Sequence, residues 1–277
     1  MAYHNPTDLD VALQIAAQRG GQVIAGGTDV YPSAQQGIEP AHFLDVTQVD
    51  GLTGISETSD GFRIGAATTW SQILGAKLPP AFETLKQAAR EVGSVQIQNA
   101  GTIAGNLCNA SPAADGMPPL LTLDARVEVA SAARGKRILS LAEFITGVRQ
   151  TALAGDELVT ALIVPPPPER AHSAFEKLGS RRYLVISIVM TSAVISCDAS
   201  GRIENARVAV GAASPVAQRL PGLERDLQGQ HPQEIEITKQ HLAPLTPIND
   251  VRGSGAYRLD AIAEQCVRAI QRAATHE

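Results

Sequence analysis

The sequence predicts an α+β protein, and three features predict it. Short strand-like runs alternate with amphipathic helical stretches, four prolines in a row interrupt the chain at residues 165–168, and the segment beyond them reads as a long antiparallel hairpin. At 277 residues the chain is long enough for two domains of roughly 100–200 residues each. With 44% hydrophobic and 18% charged residues, it has the make-up of an ordinary globular protein.

In chain order, residues 7–19 place Leu9, Ala12, Leu13 and Ala16 at helical spacing, with Thr7 expected as the N-cap. "GQVIAGG" reads as a strand that empties into a glycine turn, and "HFLDVTQV" (residues 42–49) as a second short strand. "GFRIGAATT" gives a further strand followed by a helix beginning near Trp70, and "FETLKQAAREV" (residues 82–92) is amphipathic. "LLTLDARVEVAS" and "ELVTALIV" are expected as strands. The second is stopped by the four prolines, which fit neither a central strand nor a helix interior and mark a natural boundary. "ISIVMTSAVISCDASGRIENARVAVGAA" predicts a hairpin turning at residues 198–201. "YRLDAIAEQCVRAIQRAA" predicts a helix whose Leu259, Ile262, Cys266 and Ile270 form a packing stripe without chemistry.

Several function classes are disfavoured. A net charge of −5 gives no general attraction to nucleic acid or to an anionic membrane, and no apolar run approaches the length of about 18 residues that a membrane helix needs. Cys108, Cys197 and Cys266 are widely spaced, so neither a disulfide framework nor an intrinsic zinc or iron–sulfur site is expected, and the six scattered histidines suggest no metal centre. The opening "MAYHNPTDLD" has no basic region followed by an apolar one, so no secretory leader is expected and the location read from it is cytoplasmic. No G-x-G-x-x-G, P-loop, G-x-S-x-G or H-E-x-x-H pattern occurs, and no general acid, base or other catalytic residue is assigned.

Three stretches could carry a ligand. In "AGGTDVYP" (residues 25–32) two glycines follow a strand, and such a turn can aim successive N–H groups at an anion, although many Gly-Gly turns bind nothing. "NAGTIAGNLCNASPAADG" (residues 99–116) is a second run of small and hydrogen-bonding residues, ending near Asp115. The two could converge on one diphosphate or be unrelated surface loops. "FEKLGSRRYLVISIV" (residues 175–189) gathers Lys177, Arg181, Arg182 and Tyr183, either as a solvated basic edge strand or as cations presented to a ligand.

Taken in order and spacing, "AGGTDVYP", "GSVQIQNAGTIAGNLCNASPAADG" and "FEKLGSRRYLVISIVM" resemble the FAD-binding medium subunit of the molybdenum hydroxylases, the xanthine dehydrogenase and carbon monoxide dehydrogenase family. The likeness runs from "YHNPTDLDVALQIAA" to "DVRGSGAYRLDAIAEQCVRAI". It implies two FAD-clasping α+β subdomains of the vanillyl-alcohol-oxidase-like fold (residues 1–52 and 53–167), then a C-terminal domain of antiparallel sheet and helices (residues 168–277). It also implies that Ala25, Gly26, Gly27, Thr28, Asp29 and Val30 wrap the FAD diphosphate, with Thr102, Ile103, Ala104, Gly105 and Asn106 closing on it. Asp115 matches a carboxylate that contacts the cofactor, Lys177 a lysine near the flavin ring, and Val159 an apolar contact.

Two departures stand out. Ala104 replaces the first glycine of the usual Thr-Ile-Gly-Gly-Asn, and Gln98 replaces a frequent arginine, which removes a cation and any ion pair it made.

The activity so implied is electron transfer within a multi-subunit oxidoreductase. Electrons would pass from the [2Fe–2S] clusters of a small partner subunit, through FAD held here, to NAD⁺ or another acceptor, while a large molybdopterin subunit oxidises the substrate. The resemblance also implies a heterotrimer that pairs into a hexamer. Two alternatives stay open from sequence: a flavin-free scaffold subunit, and a stand-alone FAD oxidoreductase, for which no catalytic base is visible.

Overall fold

The structure is a computed structural model that describes residues 2–19, 21–30, 42–182 and 184–275. Among the described residues it is a mixed helix-and-sheet protein with three sheets and one small hairpin of β8 (Ile145–Gly147) and β9 (Gln150–Thr151).

The first sheet is parallel, with β3 (His42–Asp45) between β1 (Ala2–His4) and β2 (Gln22–Ile24). Helix α1 (Leu9–Arg19) packs on it through Ala12, Leu13 and Ala16, the predicted face. Its cap is Asp8 and not Thr7: the Asp8 carboxylate accepts from the Val11 N–H at 3.0 Å, which satisfies an orphan donor of the first turn. The strand expected over residues 42–49 ends at Asp45, whose carboxylate accepts from both the N–H and the hydroxyl of Thr47 and turns the chain.

The second sheet is antiparallel in the order β4 (Ile55–Thr58), β5 (Gly61–Gly65), β10 (Glu157–Val164), β6 (Arg126–Ser131), β7 (Gly135–Ser140). The continuous apolar run of β10 suits its central place with both faces covered. Helices α2 (Trp70–Gly75), α3 (Glu83–Glu91), α4 (Val95–Ala100), α5 (Ile103–Asn109) and α6 (Met117–Thr122) follow β5. Helix α6 corrects the sequence reading of residues 120–131 as one strand. Leu120 and Leu121 belong to a helix opened by Pro118 and Pro119, and the strand begins only at Arg126.

Beyond the four prolines lies the third sheet: β11 (His172–Leu178), β12 (Val189–Cys197), β13 (Ile203–Gly211) and β14 (Gln218–Arg219), antiparallel in that order. The β12–β13 hairpin turns at residues 198–201 as predicted. The long helix α7 (Gly255–Thr275) buries Ile262, Cys266 and Ile270 against this sheet.

Edge strand β11 is not bare. Alternate residues face α3: the Thr84 N–H donates to Ser173 Oγ at 2.8 Å, the Phe175 N–H to Gln87 Oε1 at 2.7 Å, and Lys177 Nζ to the Glu91 carbonyl at 3.2 Å. Strand period two meets helix steps of three and four, so one helix face satisfies one strand edge. Deeper in the seam, Ser192 Oγ lies 2.7 Å from both Thr84 Oγ1 and Thr122 Oγ1, so the buried hydroxyls satisfy one another. This seam delivers Lys177 to the end of α3.

Candidate functional site

The two glycine-bearing stretches meet backbone to backbone. A Cβ placed on Gly26 would lie 1.8 Å from the Ala100 carbonyl oxygen and 2.8 Å from the Gly101 nitrogen. The close approach that requires glycine at this position is therefore made by the protein's own second stretch. A Cβ on Gly101 would in turn lie 3.6 Å from Thr28 Oγ1. Gly27 has φ of +68°, the left-handed region that favours glycine.

The first loop ends in open donors. Among the described residues, the N–H groups of Gly26, Gly27, Thr28 and Asp29 have no protein acceptor, and the Asp29 side chain is exposed. A turn with a left-handed residue and successive unsatisfied N–H groups is an anion nest.

The second stretch is different. Thr102 caps α5, accepting from the Gly105 N–H at 3.1 Å through its hydroxyl and from the Asn106 N–H at 3.0 Å through its carbonyl. The Ile103 and Ala104 N–H groups donate to the carbonyls of Thr68 and Ala66. These donors are already used. The stretch presents instead the bare, exposed backbone of Gly105 and the side-chain amide of Asn106.

The departures from the usual pattern are also accommodated. Ala104 turns its methyl into the main core. Gln98 is buried and donates to the Arg90 carbonyl at 3.0 Å, so a neutral hydrogen bond joins α4 to the end of α3. Val159 sits on β10 in the same core cluster as Ile103 and Ala104, behind the second stretch.

From Asn106 the site continues to Asp115. The Asn106 side-chain oxygen accepts from the Gly116 N–H at 3.3 Å. A Cβ on Gly116 would lie 2.7 Å from the Trp70 ring and one on Gly101 3.5 Å from it, so one buried indole underlies both glycines. Trp70 underlies this candidate site, and sequence reasoning gave it only a helix start; the nearby small-residue turns were the available signal.

Asp115 and Lys177 form an ion pair at 2.8 Å with both side chains nearly buried. Ser187, also missed, donates to the other Asp115 oxygen at 2.7 Å. Burial pushes the Asp115 carboxyl above its ordinary range, while Lys177 and Ser187 work to hold it down. Lys177 is thus no solvated edge-strand cation. Arg181 and Arg182 are exposed, and Tyr183 lies outside the described residues. These arginines, with Lys177, Arg90 and Arg272, line a cleft of about 610 Å³. A second cleft of about 440 Å³, beside Cys197, Asp198 and His231, touches none of the candidate residues. No group of His, Cys, Asp and Glu suited to a metal occurs among the described residues, and no described helix is long and apolar enough to cross a membrane.

Residues 1–167 match the family described as "FAD binding domain in molybdopterin dehydrogenase", and residues 173–273 match "CO dehydrogenase flavoprotein C-terminal domain". The chain belongs to this flavoprotein family. It is 31% identical over 280 residues to a xanthine dehydrogenase FAD-binding subunit of Escherichia coli O157:H7, covering 98% of this chain and 95% of that one. It is 28% identical over 284 residues to the carbon monoxide dehydrogenase medium chain of Afipia carboxidovorans, covering 98% and 96%. A crystal structure of a Cu,Mo-CO dehydrogenase superposes with a TM-score of 0.90 at 25% identity, covering 100% of this chain and 99% of the other. The cofactor of the flavoprotein is FAD. Its diphosphate carries only acceptors and negative charge, and four adjacent open N–H donors fit that group chemically.

Two outcomes follow from this geometry. In FAD-free protein, Gly26→Ala should lower the thermal midpoint more than Gly27→Ala. The first pushes two backbones apart, whereas the second costs about 1–2 kcal/mol for a left-handed residue; a Gly26→Ala protein as stable as wild type would contradict the contact. Lys177→Met should cost about 3–5 kcal/mol in urea unfolding, because it strands a buried carboxylate, and adding Asp115→Asn should recover most of that. Since burial raises the Asp115 carboxyl, its neutral form stabilises the fold at acid pH and that contribution is lost as pH rises through the folded-state value. The Lys177→Met deficit should therefore shrink on acidification; a deficit independent of pH would contradict the assignment.

Proposed function

We propose that this FAD-binding chain is the electron-relay subunit of a molybdenum hydroxylase complex. The observation that carries the reading is the set of N–H donors on Gly26, Gly27, Thr28 and Asp29 that have no acceptor among the described residues, held against the second stretch by the Gly26–Ala100 contact. In this reading those donors and Val30 hold the diphosphate, while Gly105 offers a surface without side chain and Asn106 an amide donor. Thr102, Ile103 and Ala104 serve by fixing α5, Ala25 by leading from β2 into the loop, and Val159 by backing α5. Asp115 and Lys177 stand at the far end, toward the flavin ring. The chain divides into residues 1–52 and 53–167, which hold the cofactor between them, and residues 168–277.

The redox chemistry belongs to the bound FAD, which takes electrons from a donor and hands them to an acceptor. What this chain's residues do is bind it, orient it and present it. Relatives are named as FAD-binding subunits or medium chains of xanthine and carbon monoxide dehydrogenases. By that kinship the partners here are a small [2Fe–2S] subunit and a large molybdopterin subunit, in a heterotrimer that pairs into a hexamer, with NAD⁺ or another acceptor and a cytoplasmic location.

The test uses the FAD-loaded chain and its reduced small partner subunit. Mixing them should bleach the flavin's visible band, and NAD⁺ should restore it, whereas the chain alone should oxidise no heterocycle or aldehyde. Bleaching by an organic substrate with no partner present would overturn the relay and favour a stand-alone oxidoreductase.

A further inference from the structure

Two left-handed residues that are not glycine meet at the end of α5. Ala110 has φ of +43° and Arg149, at the tip of the β8–β9 hairpin, has φ of +59°; the Arg149 N–H donates to the Ala110 carbonyl at 2.8 Å. Such backbone persists only where the surroundings fix it, and it gathers at functional sites. Here the hairpin is fixed by Phe144 and Ile145 in the main core and by the Ala152 N–H donating to the Phe144 carbonyl at 2.8 Å. Leu107 and Ala110 hold α5 in the same core. This junction is made by backbone and core, so it leaves the Arg149 side chain a separate task. Its Nη1 donates to the Asn109 carbonyl at 3.1 Å and also to the Asn109 side-chain oxygen.

A guanidinium only donates, so it takes the amide oxygen of Asn109 and leaves the amide nitrogen, with its two hydrogens, for another partner. Among the described residues that nitrogen has no acceptor. Helical spacing sets Asn109 beside Gly105 and Asn106, on the face of α5 away from the buried Ile103, Ala104 and Leu107. We infer that Asn109 is a further cofactor-binding residue, donating through Nδ2 to an acceptor atom of FAD, and that Arg149 is the positioning residue that fixes its amide. The inference rests on the proposed reading that the Gly105 and Asn106 face of α5 meets the cofactor. FAD carries acceptors along its whole length, in ring carbonyls, ribityl hydroxyls and phosphate oxygens, and a donor oriented beforehand loses less freedom on binding. Without the guanidinium the amide is free to flip and to face those acceptors with its own oxygen.

Titration of the FAD-free chain with FAD, followed by flavin fluorescence, tests both roles. Asn109→Ala should weaken binding by about fivefold, the net effect of one hydrogen bond, and Asn109→Asp by roughly tenfold or more, because it keeps the bond to Arg149 and replaces the donor with an acceptor. The FAD-free Asn109→Ala chain should keep the wild-type thermal midpoint, since Leu107 and Ala110 still hold α5 in the core. Arg149→Gly deletes the guanidinium, retains the N–H bond to Ala110 and suits the left-handed backbone. It should weaken FAD by about threefold, because the amide is then ordered only on binding, and change the visible circular dichroism of the bound flavin. In the Asn109→Ala background it should have no further effect. Wild-type affinity in Asn109→Asp, or a thermal midpoint that falls together with affinity in Asn109→Ala, would overturn the cofactor contact. An Arg149→Gly loss of the same size with and without Asn109 would overturn the positioning role. If the reduced partner subunit fails to bleach the flavin, the relay fails, and these titrations, which need no partner, still decide the inference.

Discussion

The site depends on one contact that involves no side chain: the Gly26 backbone lying against the Ala100 carbonyl. Every residue but glycine would hold the first loop away from the second stretch. That contact places the left-handed turn at Gly27 next to a loop residue, Thr28, that lies close to Gly101. The two stretches contribute unequally. The first leaves its backbone donors without an acceptor among the described residues, while the second uses its own on Thr68, Ala66 and Thr102 to build a short helix. A preorganised wall opposite an open nest suits a charged group, because the nest need not reorganise to receive it.

From that junction the structure extends as a chain of dependent contacts. Trp70 supports Gly101 and Gly116, Gly116 bonds Asn106, and Asp115 next to it carries Lys177 and Ser187. Lys177 is brought there by the α3–β11 seam, in which Thr84, Gln87 and Glu91 satisfy alternate positions of an edge strand. Burying a carboxylate and an ammonium together costs desolvation, and breaking such a pair is far worse than making it. The pair is therefore a device for fixing geometry between distant parts of the chain more than a source of stability.

Much of this was legible in the sequence where local chemistry and tertiary packing agree. The strand that ends in Gly26 and Gly27, the proline stop after β10, the β12–β13 hairpin and the Ile262, Cys266, Ile270 stripe all stand where the residue pattern puts them. The misreadings have physical causes. Asp8 competes with Thr7 for the cap and wins by one residue, a difference that propensity does not resolve. Leu120 and Leu121 suit a strand or a helix, and the prolines at the start of α6 decide for the helix. Family likeness names Asp115 and Lys177 separately; that they bond each other across 62 residues, and that Ser187 joins them, is set by the seam, which leaves no mark in either local stretch.

The most direct measurement is a crystal structure of the FAD-loaded chain. With the diphosphate bound as argued, its oxygens lie within hydrogen-bond distance of the N–H groups of Gly26, Gly27, Thr28 and Asp29, and the bonds from Ile103 and Ala104 to Thr68 and Ala66 stay intact. A diphosphate seated away from residues 26–29, with those four donors still open, contradicts the central claim.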